Sequence, residues 1–110
     1  MEIAIEEKGN LVKATISGRL VASCSEELKS TIGAKIEGCP NLLCDLSQMT
    51  HIDSSGLGAL VHLLQKCKAG GGICRLACLQ PHPRIVFDIT KVFRVFEIFD
   101  TVEQAEKAFG

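Results

Sequence analysis

The sequence predicts an α/β fold with a mixed, mostly parallel sheet, in the order β-β-α-β-α-β-α-β-α. Three observations support this prediction. Two alternating apolar segments open the chain, segments with strand and helix periodicity then follow one another to its end, and glycine or proline separates most of them. A chain of 110 residues, 46% of them hydrophobic, has the size and apolar content of one globular domain, so we assign residues 1–110 to a single domain.

The first half of the chain predicts a hairpin, a helix and a buried strand. Alternation on both sides of a turn at 8–10 indicates two antiparallel strands. Ser23-Cys24-Ser25-Glu26 has the spacing of a capping box and predicts the start of a helix, which glycine and proline at 38–40 end. Residues 41–46 are almost continuously apolar, which is typical of a central strand buried on both faces.

The second half begins with a polar loop over 47–53 and the longest helical pattern. The apolar residues of this helix recur at i, i+3, i+4 and i+7 and predict one core-facing stripe: Leu57, Leu60, Val61 and Leu64. Three glycines at 70–72 end it. The remaining predicted elements are a strand over 73–79, a helix opened by Pro81 and Pro83, a strand over 95–99, and a last helix begun by a Thr101-x-x-Gln104 capping box.

Charge and hydropathy exclude several classes of protein. Twelve Lys and Arg against thirteen Asp and Glu give a net charge of −1, and the basic residues are scattered, so no surface for nucleic acid or anionic lipid is predicted. Acidic residues interrupt the N-terminal segment, which therefore does not resemble a secretion signal. No apolar run is long enough to span a bilayer. We expect a cytoplasmic protein without a membrane span.

The chain has six cysteines, at 24, 39, 44, 67, 74 and 78, and none forms a Cys-x-x-Cys pair. Without a secretion signal, reduced thiols that fill the core are the favoured interpretation. A metal or redox cluster built on Cys67, Cys74 and Cys78 is the alternative, although the usual zinc spacings are missing. We expect no metal and no cofactor.

Asp53-Ser54-Ser55-Gly56 lies where the predicted central strand and its loop lead into the longest helix. In parallel α/β sheets this edge is where ligands and partners usually bind. Asp53 or Ser54 can simply cap the helix. The same helix N-terminus also stabilises an anion such as a phosphate, and the small residues Ser55, Gly56 and Gly58 leave room for an incoming protein surface.

Several segments together resemble the STAS domains of bacterial anti-sigma factor antagonists. The central segments are Asp45-Leu46-Ser47 and Ile52-Asp53-Ser54-Ser55-Gly56-Leu57-Gly58. Ser17-Gly18-Arg19-Leu20 and residues 98–105 also fit the family pattern, so the resemblance covers nearly the whole chain. It implies a single STAS-type domain that is phosphorylated on Ser54, with the surrounding loop and helix start formed by Asp53, Ser55, Gly56, Leu57 and Gly58.

The resemblance also implies a mechanism. An unmodified antagonist binds an anti-sigma factor and frees the sigma factor for RNA polymerase. The anti-sigma factor is commonly a GHKL-type serine kinase that phosphorylates the serine directly after the aspartate, which is Ser54 here. A metal-dependent serine phosphatase reverses the modification. The domain is then a substrate of the chemistry and not an enzyme.

A docking surface can be predicted around the same helix. If the stripe from Leu57 to Leu64 faces the core, then Ser55, Gly58, Ala59 and His62 lie outside, with Leu63 at the flank. We expect partner contacts from Ala59, His62 and Leu63, and from Leu20, Val21 and Ser23 in the loop before the first helix. Many relatives have an aspartate where this chain has Val21, which puts the rate of phosphorylation and the choice of partner in question.

Two other functions are compatible with the sequence. STAS domains also serve in stressosome-like sensory assemblies and in transport systems without a phospho-switch. A hydrolase could use Ser54 with His51 and either Asp45 or Asp53, but the Gly-x-Ser-x-Gly elbow is absent. No Gly-x-x-x-x-Gly-Lys-Ser/Thr motif for nucleotide binding is present.

Overall fold

The computed structural model describes residues 1–109, and within them six strands and four helices form one α/β unit. The strands are β1 (Glu2–Lys8), β2 (Leu11–Leu20), β3 (Leu42–Asp45), β4 (Met49–Ile52), β5 (Cys74–Ala77) and β6 (Glu97–Phe99). The helices are α1 (Ala22–Ile36), α2 (Ser54–Ala69), α3 (Pro81–Thr90) and α4 (Val102–Ala108). A 3-10 turn, Val92–Arg94, separates α3 from β6. The predicted α/β class is confirmed, with one strand more than expected.

The sheet is mixed, as predicted. β1 and β2 pair antiparallel as a hairpin, and β2, β3, β5 and β6 follow in parallel, giving the order β1-β2-β3-β5-β6. The additional strand, β4, pairs in parallel with the end of β2, where Leu20 lies opposite Ile52. β4 lies in the segment that the sequence predicted to be a loop. Its two buried residues, Met49 and Ile52, enclose two exposed ones, so the segment lacks the period-two alternation that indicates a strand.

The two faces of the sheet carry cores of unequal size. α1, α2 and α3 cover one face, where the buried side chains include Ile16, Leu42, Leu60 and Phe87. The opposite face has a small cluster around Leu43 and Ala77, covered by α4. Successive residues of one strand enter opposite cores, as Leu42 and Leu43 do, so β3 is buried on both faces as its apolar run predicted.

The first of the two predicted capping boxes is wrong and the second is confirmed. α1 begins at Ala22 with Val21 as its N-cap residue, so Ser23 already lies inside the helix and its side chain caps nothing. Thr101 does cap α4, because its hydroxyl accepts a hydrogen bond of 3.2 Å from the Gln104 amide.

Two further boundaries differ from the predictions. β6 begins at Glu97 and not at residue 95, because Val95 still caps the 3-10 turn, with its amide bonded to the Val92 carbonyl oxygen. β5 ends at Ala77, and Cys78 leaves the strand in a left-handed conformation with a φ of 61°. Among residues 1–109, no helix is both long enough and apolar enough to cross a membrane.

Candidate functional site

One carboxylate holds the N-termini of two helices together. Asp53 precedes α2, and its Oδ1 accepts a hydrogen bond of 2.8 Å from the Gly56 amide. Its Oδ2 accepts a second bond of 3.0 Å from the Ala22 amide at the start of α1. These amides, chiefly that of Gly56, lower the pKa of Asp53 because they stabilise its charged form. Asp53 therefore accepts a hydrogen bond from the Ala22 amide of α1, to which neither Val21 nor Ser23 offers a side-chain acceptor.

Ser54 is the first residue of α2, and its side chain is exposed. It follows the capping aspartate directly, so the hydroxyl does not have to cap the helix and faces solvent at the positive end of the helix dipole. Ser55 is also exposed. Gly58, on the next turn of α2, is exposed as well, so exposed residues surround the Ser54 side chain.

The two glycines of α2 have different roles. Gly56 is buried against the end of β2, where a Cβ would overlap the Leu20 carbonyl oxygen and come within 2.8 Å of the Leu20 Cγ. The prediction that Gly56 leaves room for a partner is therefore wrong, since its missing side chain lets α2 approach β2. Gly58 is exposed and has open space beside it, as predicted.

Three residues of the predicted docking surface are buried. The side chains of Leu20 and Leu63 are 0% exposed and that of Ala59 is 2% exposed, so none of them is accessible to a partner. The reason is that α2 packs against α1 as well as against the sheet, which buries a wider arc of the helix than one stripe. The accessible residues of this prediction, together with the exposed Ser54, are called the docking surface below: Val21, Ser23, Ser54, Ser55, Gly58 and His62.

Within residues 1–109, no side-chain hydrogen bond joins Ser54 to His51, Asp45 or Asp53, so the hydrolase arrangement is not formed. His51 Nδ1 lies 3.0 Å from Thr50 Oγ1, and the His51 ring packs edge-on against His82 with 4.6 Å between the ring centroids. Both oxygens of Asp53 accept amide hydrogens, as described above. Asp45 accepts a hydrogen bond of 3.0 Å from the Ser47 amide in its own loop. His82 lies 31 residues from His51, and no sequence motif predicts that the two rings meet.

The cysteine trio proposed from the sequence is divided between the two faces of the sheet. Cys67 and Cys74 lie together in the larger core with Cys44, whereas Cys78 packs against the smaller one. The neighbouring Cys74 thiol and burial raise the pKa of Cys67, which makes it a poor nucleophile and metal ligand. Within residues 1–109, no three His, Cys, Asp or Glu side chains are grouped to hold a metal ion.

Comparisons with known proteins identify the family and the fold. The sequence model of the STAS domain matches residues 2–105. BtrV of Bordetella bronchiseptica, named as a candidate anti-sigma factor antagonist, is 24% identical over 99% of this chain and 95% of its own. A crystal structure of a candidate anti-sigma factor antagonist from Thermotoga maritima has a TM-score of 0.90 at 21% identity, covering 97% of this chain and 93% of the other.

The Bacillus protein SpoIIAA has been solved both unphosphorylated and phosphorylated. The two structures match this chain with TM-scores of 0.74 and 0.76, each at 21% identity over 97% of this chain and covering 96% and 98% of the other. At this level of identity the match shows the shared fold. With nearly the whole sequence matched by the family model and the fold shared with its solved members, the chain belongs to the STAS domain family.

Proposed function

We propose that this chain is an anti-sigma factor antagonist that binds an anti-sigma factor with GHKL-type serine kinase activity, and that phosphorylation of Ser54 ends this binding. The unmodified chain holds the anti-sigma factor and so frees a sigma factor for transcription. A metal-dependent serine phosphatase restores the binding form. The observation that carries the proposal is the exposed Ser54 hydroxyl on the first residue of α2, within the Asp-Ser-Ser-Gly segment of a STAS domain.

The chemistry of the switch takes place on the kinase. The Ser54 Oγ attacks the γ-phosphorus of ATP, the bond to the β-phosphate oxygen breaks, and ADP leaves while the hydroxyl proton passes to a base of the kinase. The product carries about −1.5 to −2 additional charge at neutral pH, which is large for a chain with a net charge of −1. That charge lies within the docking surface, next to Ser55 and near the start of the helix that carries His62.

The rest of the site is suited to gain and lose a phosphate without unfolding. Asp53 caps α1 and α2 through its own carboxylate, so neither helix depends on the Ser54 hydroxyl for its first hydrogen bonds. The similar match of this chain to both forms of SpoIIAA supports the proposal that one fold accommodates both states.

The test uses the full chain, ATP and an anti-sigma kinase encoded beside it in the genome of its source. We expect intact-mass analysis to show one added phosphate, peptide mapping to locate it on Ser54, and a sizing column to show that the complex dissociates. Ser54→Ala should accept no phosphate and should keep the complex. Ser55→Ala is the matched control, because it removes the neighbouring exposed hydroxyl and should still be phosphorylated.

Three outcomes would contradict the proposal in different ways. A phosphate on Ser55 or elsewhere would place the switch at another residue. A stable complex without phosphorylation would leave a binding module without a switch, with Val21 as the first residue to examine. Neither phosphate nor complex with any such kinase would favour a STAS module of a sensory or transport assembly.

A further inference from the structure

Two exposed histidines from separate elements meet on the surface beside β4. His51 lies on β4 and His82 is the second residue of α3. Their ring centroids are 4.6 Å apart, and the ring planes form an angle of 61°. Two imidazoles on one tetrahedral metal ion, with Zn–N bonds of about 2.0 Å, have centroids roughly 5 Å apart. The observed separation is therefore close to that of a chelating pair.

The hydrogen bonds around His51 prepare one ring nitrogen as a ligand. The Thr50 hydroxyl donates its hydrogen to the Gly18 carbonyl oxygen at 3.2 Å. The same Thr50 oxygen lies 3.0 Å from His51 Nδ1 and, with its own hydrogen engaged, accepts the Nδ1–H. The neutral ring then carries a free lone pair on Nε2. Metal-binding histidines are typically oriented in this way, by a hydrogen bond from the nitrogen that does not bind the metal.

The backbone that presents His82 is restricted. His82 is the second residue of α3 and lies between Pro81 and Pro83, whose rings fix the φ angle of each proline. The His82 ring is therefore presented from a stiff part of the chain.

We propose that His51 and His82 form a two-imidazole binding site for a borderline divalent transition metal ion, such as Zn²⁺ or Ni²⁺, with water in the remaining coordination positions. Imidazole nitrogen is a preferred ligand of these ions. A bound ion connects α3 to β4, the strand that leads directly to Asp53. Arg19 lies opposite His51 in the β2–β4 pairing, and its positive charge limits the affinity. The site does not depend on whether Ser54 is phosphorylated.

The experiment titrates the reduced full chain with NiCl₂ and follows the ¹⁵N signals of the histidine rings by NMR. We expect paramagnetic broadening of His51 and His82 but not of His62, the third histidine, which lies on α2. His51→Asn and His82→Asn should each weaken binding at least about tenfold, and His62→Asn is the matched control that should leave it unchanged.

Thr50 is a positioning residue in this site. Thr50→Val should weaken Ni²⁺ binding about tenfold and should change the tautomer signature of the His51 ring nitrogens, whereas Thr50→Ser should restore both. Circular dichroism of every variant, expected to match the wild type at these exposed positions, separates loss of the site from loss of fold. Equal affinity in the His51→Asn/His82→Asn double variant would overturn the proposal and assign the binding to thiols. An equal loss in His62→Asn would also overturn it.

Discussion

At the scale of single residues, Asp53 has two structural roles as well as its place beside the proposed phosphorylation site. It caps α2 through Oδ1 and α1 through Oδ2. Because removing one N-cap side chain costs about 1 kcal/mol, we expect Asp53→Ala to lower the free energy of unfolding by about 2 kcal/mol. Urea denaturation at pH 7 measures this change. Asp53→Asn keeps one acceptor oxygen and should lose only about half as much, so equal losses in the two variants would contradict the double cap.

The same carboxylate makes the stability dependent on pH. The Gly56 and Ala22 amides hold the pKa of Asp53 below its ordinary value of 3.8 in the folded chain. Its contribution is therefore fully present above about pH 4 and is lost as the pH falls through the lower, folded-state pKa. We expect the stability difference between the wild type and Asp53→Asn to be constant from pH 5 to 7 and to shrink below pH 4. A difference that persists unchanged at pH 2 would contradict this assignment.

The glycines of α2 provide a matched pair of substitutions. Gly56→Ala puts a methyl group against the Leu20 carbonyl and should destabilise the chain by about 1–3 kcal/mol, as overpacking of a core does. Gly58→Ala adds the same methyl group in open space and should stabilise the helix by up to about 1 kcal/mol. Thermal unfolding of both variants measures the two effects. A stabilising Gly56→Ala would mean that α2 can move away from β2.

At the scale of secondary-structure elements, the sequence predicted those features that depend on neighbouring residues in the chain. The apolar run of β3, the prolines that open α3 and the Thr101 cap of α4 all act within a few residues, and each element forms as predicted. The start of α1 was misplaced because its amide is satisfied by Asp53, 31 residues away. β4 was missed because it shows no alternation of its own, and it forms a strand by pairing with β2, which is distant in the sequence.

The candidate site shows the same limit. Asp53 and Ser54 were predicted correctly at the start of α2, because a strand–loop–helix junction is visible in the sequence. Ala59 and Leu63 were predicted on the outer face, and they are buried because α1 covers that side of α2. Helical periodicity gives the direction in which one residue points relative to another, but it does not give the number of neighbouring elements.

The two capping boxes allow a direct test of this distinction between local and tertiary signals. Thr101→Ala removes a hydrogen bond to the Gln104 amide and should cost about 1 kcal/mol of stability. Ser23→Ala changes an exposed residue inside α1 whose hydroxyl caps nothing, so its effect should stay within about 0.5 kcal/mol. Chemical denaturation of both variants decides the matter. A loss of about 1 kcal/mol in Ser23→Ala would show that Ser23 caps α1 after all.

At the scale of the whole molecule, the unequal covering of the sheet is the main feature. Three helices cover one face, and the proposed phosphorylation site lies at the edge of that layer, where α1 and α2 begin. The other face is covered by the seven-residue α4, whose apolar contacts are few. Arg75 on β5 packs on this face, over the rings of Phe99 and Phe109.

Arg75 is only 8% exposed, although it is charged. Its Nε donates a hydrogen bond of 3.1 Å to Glu97, and its guanidinium carbon lies 4.4 Å from the centroid of the Phe109 ring, close enough for a cation–π contact. The Nη1 atom is buried and has no hydrogen-bond partner within residues 1–109. The Arg75 side chain therefore contributes to stability mainly through the packing of its aliphatic part and of its planar guanidinium group. Its charge is only partly compensated.

Substitutions at this position separate packing from charge. Arg75→Ala leaves a cavity under α4 and should lower the free energy of unfolding by about 2–3 kcal/mol. Arg75→Met keeps most of the volume and removes the unpaired Nη1, so it should stay within about 1 kcal/mol of the wild type. Glu97→Gln should also cost less than about 1 kcal/mol, because the Glu97 side chain is 56% exposed. Urea denaturation of the three variants at 25 °C measures these differences. If Arg75→Met were as unstable as Arg75→Ala, a side chain of similar volume would not be sufficient to stabilise this face. The ion pair and the cation–π contact would then be what holds α4 on the sheet.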